Sequence, residues 1–239
     1  KPWGTTALTN SASGADILGH VASNVAAPYW AQTIQAYALA KLSGVIKDND
    51  ANDGDDMIES VASDSADAIT ADESFNVDTF VEARQSMGDA ADRLSIIVMH
   101  SRVYSNLLKL EPHNCERKSA TVPFDTYMGL TVLIDDNMPA VAGTNRVTYT
   151  SYLLGQGALV MGEATPEFGA VEVVRNGSEG NGFGAEKLIS RKQMILHPYG
   201  FSSSATVASA TGSPTLAAYD AASAWNRVMA RKNCPIVAF

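Results

Sequence analysis

The chain has 239 residues, 46% of them hydrophobic and 18% charged, which is enough apolar material for one large domain or two small intertwined ones. Against 26 Asp and Glu stand 17 Lys and Arg, a net charge of −9; no basic run exceeds Arg191-Lys192 or Arg231-Lys232, which excludes the clustered cations a nucleic-acid binder sets against phosphate. Cys115 and Cys234 are too few for a disulfide scaffold, form no C-x-x-C pair, and read as free thiols of a reducing cytoplasm.

The chain opens Lys1-Pro2-Trp3 without an initiator Met, as expected of a processed chain, a fragment, or a sequence numbered from an internal residue; no basic-then-apolar signal peptide is visible. Residues 16–47 predict one long helix. Ser13 or Asp16 can cap its start, and Trp30, Ile34, Ala38, Leu42 and Val45 form an apolar stripe at helical spacing. Pro28 removes one intrahelical hydrogen bond and predicts a kink or a new start there. Unbroken, such a rod would reach about 45 Å, longer than a small globular domain needs. Residues 17–40 carry no Asp, Glu, Lys or Arg, but His20, Ser23, Asn24, Pro28, Gln32, Thr33 and Gln35 make bilayer insertion unfavourable, and a shallowly buried soluble helix is expected.

An acidic, turn-rich link follows at 48–54, then a short helix over 55–68 and a better one over 78–92, on which Phe80, Ala83, Met87 and Ala91 share a face. The continuous apolar run 94–99 predicts a strand buried on both faces. Ser101 is expected to cap a helix reaching Leu110 and burying Val103, Leu107 and Leu110. Beyond a polar loop at 111–124, strands are expected at 131–134 (buried), 148–154, 158–161, 171–175 and 188–197, with a Gly-rich loop at 176–184. Residues 201–214 should be exposed, 215–230 helical with Trp225, and 236–239 a last strand. Helices in the first half and strands mainly in the second predict an α+β fold.

Candidate chemistry is sparse. Asp48, Asp50, Asn52, Asp56 and Glu59 fall at positions 1, 3, 5, 9 and 12 of a calcium loop, but Asp53 replaces the turn glycine and Asp55 the usual apolar anchor. Asp135 and Asp136 end a strand, where a hydrolase could keep its carboxylates; with no His or Cys close in sequence, a turn with Asp oxygens on backbone amides is preferred. There is no H-E-x-x-H and no Gly-x-Ser-x-Gly, so Ser101 beside His100 reads as a cap. The run Gly180-Asn181-Gly182-Phe183-Gly184 lacks the dinucleotide-loop spacing and context, and Trp3, Trp30 and Trp225 read as packing anchors.

An ordered set of short motifs runs the length of the chain: Pro28-Tyr29-Trp30, Leu42-Ser43-Gly44-Val45, Met87-Gly88-Asp89-Ala90, Val98-Met99-His100-Ser101-Arg102-Val103-Tyr104, Asp135-Asp136-Asn137-Met138-Pro139, Tyr152-Leu153-Leu154-Gly155, and Arg191 through Gly200. In this order they resemble the major capsid proteins of tailed bacteriophages. The resemblance implies the Hong Kong 97-like fold: a peripheral domain with a long spine helix (1–50, with a sheet return at 164–205) and an axial domain (51–163 and 206–239). It also implies a structural subunit, not an enzyme, with no catalytic, cofactor-binding or metal residues. Such a subunit would self-assemble into hexamers and pentamers of an icosahedral shell in the bacterial host cytoplasm and end in the virion. Its partners would be its own copies, scaffolding, portal or decoration proteins, and packaged double-stranded DNA held without sequence-specific contact; no membrane is implied. The family's N-terminal arm and extended hairpin precede the spine helix; here fewer than twenty residues do, so those parts were removed or left out, or neighbours are gripped differently. Encapsulin compartments share the fold. The loops 177–184 and 201–214 are candidates for contacts between subunits.

Overall fold

The structure, a computed structural model, describes residues 1–119, 123–208 and 212–239. In chain order the elements are β1 (Pro2–Thr6), α1 (Ala7–Ser13), α2 (Ile17–Asn24), α3 (Ala26–Asp48), α4 (Val77–Gln85), β2 (Leu94–Met99), α5 (Ser101–Leu110), β3 (Cys115–Glu116), β4 (Thr126–Tyr127), β5 (Leu130–Ile134), β6 (Ala140–Ala142), β7 (Val147–Tyr149), β8 (Tyr152–Gly155), β9 (Leu159–Ala164), β10 (Val171–Asn176), β11 (Ala185–Ser190), β12 (Gln193–Pro198), β13 (Phe201–Ser203), α6 (Leu216–Tyr219), β14 (Trp225–Arg227) and β15 (Ile236–Ala238). The mixture is α+β, as expected. Two compact units divide the chain: 1–36 with 161–196, and 37–160 with 197–239.

The expected single helix over 16–47 is two. Asp16 caps α2 through Oδ1, which accepts from the Gly19 amide at 2.9 Å; Ser13 instead ends α1. The break falls at Val25, three residues before Pro28. Proline lacks an N–H, and its ring collides with the carbonyl four residues back, here that of Asn24, the last residue of α2. Pro28 itself sits in the first turn of α3, where a missing amide costs nothing.

In the first unit, β11 is the centre of an antiparallel sheet in the order β1-β11-β10. The N-terminal segment packs on it by aromatic contacts: Trp3 meets Tyr29 edge-on at 5.5 Å, and Trp30 Nε1 donates to Ser190 Oγ at 2.8 Å. Leu18 and Leu188 are buried there.

In the second unit a six-stranded sheet runs β15-β8-β2-β5-β4-β3, with β2 and β5 parallel and joined through α5, the crossover that parallel neighbours require. Two apolar clusters flank it, and the two-residue period of the strands distributes side chains between them. Tyr152, Leu154, Ile236 and Ala238 join Leu42, Val45, Met57 and Trp225; Leu153 and Val237 join Phe80, Met87, Leu107 and Tyr127. On β2, Ile97 and Met99 share a cluster with Leu94 despite the odd spacing, because the register shifts between Leu94 and Ile96. β2 is largely buried, as expected, although Ser95 is exposed. β5 is covered only in its first half: Leu133 and Ile134 are exposed, which corrects the expectation of a buried strand.

Further expectations are corrected. Residues 55–68 form no helix: Asp55 takes a positive φ of 61°, and the backbone turns to β15, where the Ala238 amide donates to Met57 O and the Glu59 amide to Ala238 O. The helix over 78–92 stops at Gln85 and resumes as a 3-10 helix at Gly88–Arg93, with Gly88 at φ 57°. The strands expected at 148–154 and 188–197 are each two, parted at 150–151 and 191–192. The helix over 215–230 is reduced to α6, after which β14 pairs with β13 and Trp225 Nε1 donates to Tyr219 O at 2.7 Å. Of the loop at 201–214, Phe201 is a buried strand residue, and 209–211 lie outside the described residues; of the loop at 111–124, Cys115–Glu116 is a short strand, and 120–122 likewise lie outside.

Candidate functional site

The acidic segment 48–59 is not the loop its spacing suggested. α3 passes into a π-helical turn at Asn49–Asp53, ended by Gly54 at φ 75°. Several of its oxygens bond protein partners, while Asp48 Oδ2 and Asp53 Oδ2 are buried without a hydrogen bond. Asp48 Oδ1 accepts from Asn52, and Asn49 Oδ1 from the Met57 amide. Asp56 Oδ1 accepts from Asn49 Nδ2 at 2.8 Å and from the Arg227 guanidinium at 2.6 Å, while Arg227 Nε lies 3.4 Å from Asp53. Arg231 donates to Asp56 O, Cys234 O, Ser86 Oγ and Met87 Sδ. Burial works against the charged form of Asp56, but hydrogen bonds from Arg227 and Asn49 and the two guanidinium charges outweigh it and hold its carboxyl below the usual range. Of the carboxylates that an ion would need to share, Asp56 is bonded to Arg227 and Asp48 Oδ1 to Asn52. Among the described residues no three His, Cys, Asp or Glu are grouped to hold a metal ion.

Asp135 and Asp136 form the turn preferred for them. Asp135 Oδ1 accepts from the Asn137 amide at 2.9 Å. Asp136 Oδ1 accepts from the Ser101 amide at 3.2 Å, and the Ser101 hydroxyl and amide hold its carboxyl below the ordinary range. The cap of α5 is His100, not Ser101: its Nδ1 accepts from the Arg102 amide at 3.1 Å. Leu107 is buried beneath the helix as expected, but Leu110 is exposed. Ser101, His100 and Asp136 are the residue types of a hydrolytic triad without its geometry. Asp136 lies 3.7 Å from the same Nδ1 that caps the helix, and that imidazole nitrogen is engaged by the Arg102 amide.

The Gly-rich loop joins two antiparallel strands, β10 and β11, and not a strand to a helix, and the first amide of α1, that of Ala7, is taken by Gly184 O at 3.0 Å. Gly180, Asn181, Gly182 and Gly184 all take positive φ, and Phe183 is exposed.

The sequence reading missed one constellation, a latch on the β6–β7 hairpin. The Asp64 carboxylate accepts from three successive amides, those of Thr144, Asn145 and Arg146, at 2.7, 2.9 and 2.9 Å. Arg146 answers with donations to Ser63 O and Asp67 O and an ion pair to Glu73 at 3.1 Å. The Thr70 amide and the Arg146 guanidinium pull the Glu73 carboxyl down to about 2. The hairpin-closing Asn145 was a visible signal; its partner, some eighty residues earlier, was not. Beside the latch, clefts of about 260 and 330 Å³ are lined by Ile58, Phe75 and Phe239 in one case and by Glu73, Arg102 and Arg146 in the other. Neither sets a nucleophile against a base.

The described residues thus offer packing, capping and neutralised charge. Among the described residues no helix is long and apolar enough to cross a membrane. Comparison with known proteins accounts for this. The chain is 33% identical to the major capsid protein of Bacillus phage SPP1, in an alignment of 243 positions that takes in 99% of this chain and 69% of that protein. Residues 3–234 match the Gp13-like family, described as major capsid protein 13-like. The chain belongs to this Gp13-like family of major capsid proteins, and is a structural subunit of a tailed-phage capsid and not an enzyme.

Proposed function

We propose that the chain is the repeating tile of an icosahedral shell of the Hong Kong 97 type, closed by hexamers and pentamers around double-stranded DNA. The observation that carries this reading is the extent of the family match, residues 3–234, which takes in both compact units. The tiling property therefore belongs to the whole chain. In this reading residues 1–50 and 164–205 make the peripheral domain, with α3 in its spine helix, and residues 51–163 and 206–239 the axial domain that meets its copies around five- and six-fold axes. The net charge of −9 favours a wall that contains DNA without gripping it. Scaffolding, portal and decoration proteins are the further partners this architecture calls for.

A shell of identical tiles needs many modest symmetric contacts and no single strong site. The large apolar side chains left exposed, among them Phe168, Phe183 and Ile195, suit that demand. Negative-stain microscopy of the expressed chain is the test. Rings or closed shells are expected; a population that stays monomeric at every concentration and salt condition would refute the proposal.

A further inference from the structure

Edge strands are liabilities that soluble proteins blunt with proline, bulges, lysine or cover. The two edges of the β1-β11-β10 sheet differ in this respect. β1 carries Pro2 and Gly4, which weaken it as a template. β10, Val171-Glu172-Val173-Val174-Arg175-Asn176, has no proline, no glycine, no lysine and no break in its register with β11. Val171, Val173 and Val174 are exposed at 59, 50 and 40%. Its two charges are already spent within the subunit: Glu172 on Arg191 at 2.6 Å, and Arg175 on Glu186 at 2.8 Å. An approaching strand would meet valines and two charges that each already have a partner, although the Arg175 side chain stays exposed.

The ladder also fixes which backbone groups are free. The Arg191 amide donates to Ala170 O, so position 170 faces β11, and by alternation so do 172, 174 and 176. The N–H and C=O groups of Val171, Val173 and Arg175 therefore point outward. From this geometry we infer that β10 pairs antiparallel with β10 of a second copy across a two-fold axis, joining two three-stranded sheets into one. The inference rests on the shell reading, which supplies the second copy and the symmetry. A two-fold axis normal to a sheet keeps faces together, so paired residues have the same parity. Centred on Val173, the register sets Val173 against its own mate and Val171 against Arg175, and uses every outward amide. Centred on Glu172 it would oppose two carboxylates; centred on Val174 it would leave Val171 beyond the partner strand.

The test is disulfide trapping in assembled particles. Opposed Cα atoms in a hydrogen-bonded antiparallel pair lie about 5.5 Å apart, within disulfide range, whereas diagonal neighbours lie about 7–8 Å apart and outside it. Particles of Val173→Cys should oxidise to covalent dimers through residue 173. Val174→Cys particles should give no more dimer than the unsubstituted chain, whose Cys115 and Cys234 set the background. Intact Val173→Cys shells without dimers above that background, or with dimers mapped to Cys115 or Cys234, overturn the inference and leave the shell reading standing. Failure of the unsubstituted chain to form shells overturns the shell reading itself. Val173→Lys gives a second route: it should yield a folded subunit whose shell yield falls by about tenfold, and assembly at the parental yield would also overturn the pairing.

Discussion

Gly44 makes a sign test of the packing argument. It lies in α3, where glycine is a poor choice: at an open helical position, replacing it with alanine stabilises a protein by about 1 kcal/mol. Here the position is closed. A Cβ on Gly44 would run into the Tyr219 carbonyl and stand 2.5 Å from Trp225 Nε1. Those two atoms are also bonded to each other, Trp225 Nε1 donating to Tyr219 O at 2.7 Å. Tyr219 is held in turn by the Lys41 ammonium, 4.1 Å from its ring centre. Overpacking of a filled site costs about 1–3 kcal/mol, and loosening the indole hydrogen bond about 1 kcal/mol more. Set against the helix-propensity gain, Gly44→Ala should destabilise the subunit by about 1–3 kcal/mol. For a chain of this size that is a fall in melting temperature of about 2–12 °C. Scanning fluorimetry on soluble, unassembled subunits reads it directly. The loss should shrink in a Trp225→Leu background, since the two changes share one contact. An alanine variant that melts at or above its parent would refute the reasoning, because propensity alone would then govern the position.

Acid should open the latch on the β6–β7 hairpin. Glu73 sits at about 2 in the folded chain against an ordinary 4.5, so its contribution is whole above about pH 4.5 and vanishes as the pH falls toward 2; Asp64, also held low, acts in the same sense. Hydrogen exchange of residues 63–73, corrected for its intrinsic pH dependence, should speed up across that window, and Asp64→Asn should reproduce the open state at neutral pH. Protection unchanged down to pH 3 in both proteins would contradict this. In the first unit, Trp30→Phe strands the buried Ser190 hydroxyl at a cost of about 1 kcal/mol, which should speed exchange in β11 about fivefold; equal exchange would show the bond to be idle. Millimolar calcium and a chelator should both leave the melting temperature within about 1 °C, since Arg227 already occupies the Asp56 carboxylate and lies beside Asp53; a clear rise with calcium would restore the ion-binding alternative.

Where local chemistry and long-range pairing agree, the chain was readable. β2 begins and ends where its apolar run does, and α5 ends at Leu110 as its stripe does, because burial and propensity point the same way there. The break near Pro28 was equally legible, for it follows from a missing amide. The helices expected over 55–68 and 215–230 failed for one shared reason. Nothing in either stretch forbids a helix locally, for neither holds a proline or a glycine, but Met57 and Glu59 bond to Ala238, and Trp225–Arg227 pairs with Phe201–Ser203. Partners that distant leave no trace in a short window. The same holds for the candidate site: the Asp135 turn could be read from adjacent residues, whereas Arg227 reaching Asp56 spans 171 positions. The family resemblance supplied the function that periodicity could not.

Each compact unit is assembled from two stretches that the other interrupts: 1–36 waits for 161–196, and 37–160 waits for 197–239. β1 finds its ladder only when residues 185–189 exist, and β8 finds its outer neighbour only in the last few positions. A nascent chain emerging from the ribosome therefore cannot complete either unit early. A chain released before residue 161 would expose raw sheet borders and hold neither unit entire, so the interleaving withholds a usable building block until residues 197–239 have been made.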